Sequence, residues 1–288
     1  MLLDREEYVE QAYFFHGLSE RMQRNTATQD LIAGLREEVM ATTKLPMALE
    51  FLAAELKLSG GLAPAMERLS HYFTPFQTFV MAEAEKERGR FDFGVALEIL
   101  EKLARYMSGT PTAQGLFIYQ FECLSRNRLG YDRGLEAISR DPFYDDAWRE
   151  WILIVRRQVG FADFADMIYV RSQHYADSRA RRGIKDEEPV PVLFGEKEGL
   201  IAFAHRQKDP LWLFAALERH LSYPTVPRTR RVDESKQALP LLLRRMERLE
   251  ARLKLLEEEQ RGGIDLSRFM GQVPEFNDEP PAEGSGEL

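Results

Sequence analysis

The sequence predicts an all-α protein: a multi-helix body, either a bundle or an irregular superhelix of helix pairs, then a short C-terminal coiled-coil helix and a disordered tail. Three observations carry that prediction. Apolar residues between positions 4 and 222 recur at helical spacing with few strand-like alternations, helix start and stop signals punctuate them, and a leucine heptad follows a proline-studded linker. With 288 residues, 44% of them apolar, the chain can bury a real core.

In the first helix Tyr8, Ala12, Phe15 and Met22 share one face, and Asp4 with Glu7 has capping-box spacing. Thr74 with Gln77 repeats that spacing. Pro75, Pro111 and Pro210 each follow a Thr or Asp, as fits a first helical position, where the missing amide costs nothing. Ala96, Leu100, Leu103 and Met107 form a further stripe, and Phe117, Phe121 and Leu124 another. Gly60, Gly109, Gly130 and Gly160 mark helix ends, because glycine closes a helix in the left-handed region without a side-chain penalty. About nine helices with short connections result.

The run LGYDRGLEAISRDPFYDDAWREW, residues 129–151, resembles the junction between two tetratricopeptide repeats: a glycine turn, a short amphipathic helix and an Asp-Pro step before an aromatic helix. The likeness spans barely one repeat, its second helix is several residues short, and no 34-residue self-similarity recurs elsewhere. It implies stacked helix pairs and carries no binding residue with it. Phe143, Tyr144, Trp148 and Trp151 concentrate here, but Trp148, Ile152, Val155 and Val159 have core spacing, so packing is expected over a ligand box.

Residues 180–194 read as a charged, proline-bearing loop, with an internal division of the body possible near 180–195. Leu213, Leu217 and Leu221 then line one side of a last body helix. The predicted organisation is a body over 1–222, a linker over 223–237, the coiled-coil helix over 238–261 and an acidic tail over 262–288. The tail buries too little apolar surface to offset its ordering entropy. Within it, Ile264 to Met270 has the apolar character of a short docking peptide.

The heptad places Met246 and Leu253 at a and Leu242, Leu249 and Leu256 at d, while Pro240 marks the first helical turn. Arg245 and Arg252 fall at g, and Glu250 and Glu257 at e. A parallel homodimer sets each arginine against a glutamate across the seam, whereas an antiparallel one sets like against like. Exposed pairs contribute only about 0.2 to 1 kcal/mol each, so they select orientation. Leucine burial, about 1.5 to 3 kcal/mol per side chain, supplies adhesion. Leu243 at e and Leu255 at c widen the apolar stripe, which equally suits a helix folded back on its own body.

Chemistry is sparse. A net charge of -8 opposes any general hold on nucleic acid or anionic lipid. Cys123 stands alone, which excludes an intrachain disulfide and a cysteine-rich zinc site and fits a reducing compartment. His16, His71, His174, His205 and His220 form no i+3 or i+4 pair, and Glu67 to His71 is one residue too long for a di-iron Glu-x-x-His unit. No P-loop, dinucleotide fingerprint, nucleophile elbow or HExxH sequence occurs. Arg179, Arg181, Arg182 and Lys185, and likewise Arg228, Arg230 and Arg231, read as solvated loops. No secretory signal, membrane span or lipidation motif is read, so a cytoplasmic location is expected.

The expected function is therefore that of an intracellular interaction or scaffold protein. No catalytic motif and no cofactor is identified, and the expected partners are a second copy of itself, as a parallel dimer, and an unidentified protein. Two other classes remain open at this level: a helical-bundle enzyme or ligand-binding protein with a site built from scattered residues, and a nucleic-acid-associated regulator using the arginine clusters.

Overall fold

A computed structural model of the protein describes residues 2–22, 27–86, 91–183 and 190–228, all within one compact unit, Met1–Thr229. These residues form thirteen helices and no named strand: α1 (Arg5–Met22), α2 (Thr28–Glu38), α3 (Leu45–Ser59), α4 (Leu62–Arg68), α5 (Pro75–Ala84), α6 (Phe93–Met107), α7 (Ala113–Asn127), α8 (Tyr131–Ser139), α9 (Asp146–Gln158), α10 (Phe164–Val170), α11 (Gln173–Arg181), α12 (Glu196–Ala204) and α13 (Pro210–Leu221). The all-α body is as expected. The helix count exceeds about nine in part because α4 and α10, of 7 residues each, are under two turns long and show too little periodicity to be seen in sequence. No described helix is long and apolar enough to cross a membrane. The coiled-coil residues Leu242, Met246, Leu249, Leu253, Leu256, Arg245, Glu250, Arg252 and Glu257 lie outside the described residues, as does the tail.

The local signals were uneven guides. Thr74 and Gln77 form a complete capping box at α5, with Pro75 first in the helix, and Pro210 opens α13 behind the Asp209 cap. The Asp4 and Glu7 pair does not behave this way. The Glu7 carboxylate is buried and accepts from the Tyr72 hydroxyl at 2.8 Å and the Lys44 amide at 2.7 Å, so a tertiary contact replaces a local one. Pro111 lies ahead of the true α7 cap, Thr112, whose hydroxyl accepts from Gly115. Gly60 and Gly160 take positive φ of 74° and 91° at helix ends, as read. Gly130 instead opens α8, and Arg128, at φ 55°, closes α7 in the left-handed region.

Packing is not that of a nearest-neighbour solenoid. Alpha helices α2 and α3, and α8 and α9, pair as hairpins, but α1 lies against α6, α5 against α8, and α13 against α7. Helix α7 is the axle: ten of its fifteen residues, Gly115 to Leu124, are buried on every side. Its Phe117 and Phe121 anchor an aromatic cluster with Trp148, Trp151, Phe164 and Phe214. Residues 223–228, read as the start of a linker, are strapped to this core. Tyr223 and Val226 are buried, the Tyr223 hydroxyl donates to Glu122 at 2.7 Å, and Asn127 donates to the Pro227 carbonyl at 3.0 Å.

Candidate functional site

Interior polar groups come first, because a buried carboxylate or amide without a partner would mark a site. Most are consumed by each other. The Tyr144 hydroxyl donates to Gln120 at 2.7 Å, Gln120 donates to Asp141 at 3.2 Å, and the Phe143 amide donates to the other Asp141 oxygen at 3.1 Å. Burial still pushes the Asp141 carboxyl above its ordinary value, with those two donors opposing. Arg126 is held by the buried Glu122, and the Met40 amide by Glu10. A small cavity bounded by Tyr8, Thr74, Gln77, Leu116 and Asp141 encloses only about 10 Å³, room for one water at most. Burial also raises the Cys123 thiol well above its usual range, which makes it inert.

The histidines are dispersed. His16 pairs with Glu101 and Glu20, His220 meets Glu198 at 3.1 Å, His205 contacts the Ile201 carbonyl, His174 packs on Tyr169 and Phe203, and His71 sits in an exposed turn. Among the described residues no three His, Cys, Asp or Glu side chains converge as metal ligands would. Of the basic clusters, Arg181, Arg182 and Arg228 are exposed, Arg179 lies over the Tyr175 ring, and Lys185, Arg230 and Arg231 fall outside the described residues.

What the surface does offer is an open groove of about 300 Å³ between α9 and α10, lined by Trp151, Ile154, Gln158, Met167, Val170 and Arg171, with Ala162 and Asp166 completing it. Its shape follows from the local sequence. In α9 the buried face is Trp148, Trp151, Ile152 and Val155, so Ile154 and Gln158 flank it and reach the rim. Gly160, at positive φ, turns the chain so tightly that Phe161 and Ala162 both donate their amides to the Gln158 carbonyl, at 3.0 Å each. That turn throws Phe161 outward, 94% exposed. Asp163 then caps α10, its carboxylate accepting from the Ala165 amide at 3.1 Å.

The floor is rigid. The Trp151 indole sits 4.8 Å from the Phe117 ring and 5.3 Å from that of Phe194, in edge-on contacts that fix its orientation. At the far end, the Arg171 carbonyl accepts from the amides of Leu193 (2.9 Å) and Phe194 (3.1 Å), pinning the backbone beneath the guanidinium. The Arg171 side chain has no hydrogen bond or ion pair among the described residues. Partial burial lowers its pKa, and the charge of Glu150 opposes that shift. Asp166 does not answer it, being bound by Arg206, which also lies over the rings of Tyr169 and Phe203 at 5.4 and 5.6 Å. The groove thus joins an apolar floor, a partly desolvated cation and an exposed apolar rim at Val170.

Sequence reasoning missed this site. Trp151 was read as core, which it is, yet one edge of it floors the groove. Arg171 carried no signal, since having no partner among the described residues is a property of the packed structure. The one legible cue was Phe161 directly after a helix-ending glycine, an aromatic placed where a loop faces water. No family model, no curated protein and no solved structure matches this chain.

Proposed function

We propose that this protein works by contact: the groove between α9 and α10 holds a segment of a partner protein, and the C-terminal heptad joins two copies of the chain in parallel. The observation that carries the reading is the groove, with its fixed Trp151 floor, apolar rim and an Arg171 that no described residue pairs. Small apolar hollows beside a single charged anchor are how helical proteins grip short segments, because the apolar contact supplies adhesion and the charge supplies direction.

Copy number is assigned to the leucine rungs Leu242, Met246, Leu249, Leu253 and Leu256, with Arg245 and Arg252 facing Glu250 and Glu257 across the seam. Pairing would present two grooves on one assembly and strengthen the hold on any partner carrying two matching segments. A reducing, cytoplasmic setting accords with the single buried thiol.

Light scattering on the full chain tests the scaffold reading. The native protein is expected to shift toward twice the single-chain mass as its concentration rises, and the Arg245→Glu, Arg252→Glu double variant to dissociate more readily, because glutamates then face glutamates. A single-chain mass at every concentration would remove self-assembly from the function.

A further inference from the structure

We infer, building on the docking reading above, that the α9–α10 groove takes a peptide segment in which a large apolar side chain is followed closely by an aspartate or glutamate. The apolar side chain seats against Trp151, Ile154, Met167 and Val170, and the carboxylate pairs with Arg171.

Charge complementarity decides the partner. Asp166 is the sole carboxylate lining the groove, and it is satisfied from outside by Arg206. Glu150 is close enough for its charge to be felt by Arg171 but forms no ion pair with it. An incoming carboxylate therefore meets a guanidinium that has already lost part of its water and has no hydrogen-bond or ion-pair acceptor among the described residues, the setting in which a charge-assisted pair forms strongly. A lone cation in a chain of net charge -8 is a poor match for the phosphate backbone of a nucleic acid, which needs several. One carboxylate beside one apolar group is a close match. Because the Arg171 backbone is fixed by Leu193 and Phe194, and the Trp151 ring by Phe117 and Phe194, little ordering remains to be done on binding.

A second groove, of about 500 Å³ and lined by Asp4, Arg5, Glu6, Val9 and Met40, has no such pairing. There the one cation, Arg5, already donates to the Ser108 carbonyl at 3.1 Å.

The test is to pan a phage-displayed random peptide library against the full chain, then measure synthetic copies of the enriched peptides by fluorescence polarisation. Enriched peptides are expected to pair a Leu, Ile, Met, Phe or Trp with a nearby Asp or Glu. Their binding should weaken about tenfold on Arg171→Gln, as for loss of one charged hydrogen-bonding partner, recover on Arg171→Lys, and be abolished by Val170→Asp at the half-exposed rim. Peptides that lack an acidic residue, or that bind Arg171→Gln undiminished yet fail on Val170→Asp, overturn the acidic requirement while leaving the groove as a docking site. Binding indifferent to Val170→Asp overturns both. Failure to enrich any peptide, the result if a second copy or the chain's own residues fill the groove, also overturns the inference.

Discussion

Helix α7 and the stretch from Phe161 to Trp212 use the same kinds of residue in opposite ways. In α7 ten consecutive residues are buried, and even the polar ones, Gln120 and Glu122, are bonded to Tyr144 and Tyr223. Along 161–212, Phe161, Val170, Val190, Val192, Leu200, Phe203, Leu211 and Trp212 are exposed, and they are eight of the fourteen large apolar side chains exposed among the described residues. Helix α11 has no fully buried residue. A folded protein always leaves some apolar surface in water, so single exposed leucines mean little; concentration in about one-fifth of the described residues is the informative fact. One region buries its apolar residues and the other leaves them at the surface.

That contrast can be broken by mutation. Phe117→Ala should cost about 3 to 5 kcal/mol, because Phe117 touches Phe121, Trp148, Trp151 and Phe164 and the cavity left behind cannot collapse. The fall in the urea midpoint measures it, and a loss below about 1 kcal/mol would show that the core is looser than its packing implies.

A smaller, pH-dependent effect belongs to Asp141, which is 3% exposed. Since burial raises its pKa in the folded state, the native protein holds that proton to higher pH than the unfolded chain does. Stability contributed by Asp141 is therefore greatest below the ordinary aspartate value of 3.8 and declines as pH rises through the raised one. Compared with Asp141→Asn, which cannot titrate, the native chain should lose relative stability across that window, as read from urea midpoints at successive pH. A constant difference would place the Asp141 pKa at its unfolded value.

The smallest effect is expected at Phe161. Phe161→Ser removes an aromatic ring as Phe117→Ala does, yet it should change stability by no more than about 0.5 kcal/mol. A large loss in the same urea assay would mean that the exposed ring is structural after all, and the comparison between the two regions would fail.

Much of α7 was legible in sequence because its reason for being is periodic. Phe117, Phe121 and Leu124 lie on one face, and any partner helix that covers them will do. Helix ends were half legible: Thr74 and Gln77 satisfy each other locally, so the sequence suffices, whereas Glu7 reaches Tyr72 across 65 residues, which no local pattern announces. Arg128 in place of Gly130 has the same explanation, a closing geometry set where the next helix must start. The groove was illegible for a stronger reason. Its apolar floor is built of residues that also pack the core, and its one cation matters because no described residue pairs with it.

The most direct test of the account is a methyl-resolved NMR titration of the full chain, labelled at Ile, Met and Val, with N-acetyl-leucinamide as a minimal apolar side chain. The account predicts shifts concentrated on Ile154, Met167 and Val170, absent from buried Val155 and Ile118. Shifts that leave those three methyl groups unmoved, or that spread evenly over the molecular surface, would contradict it.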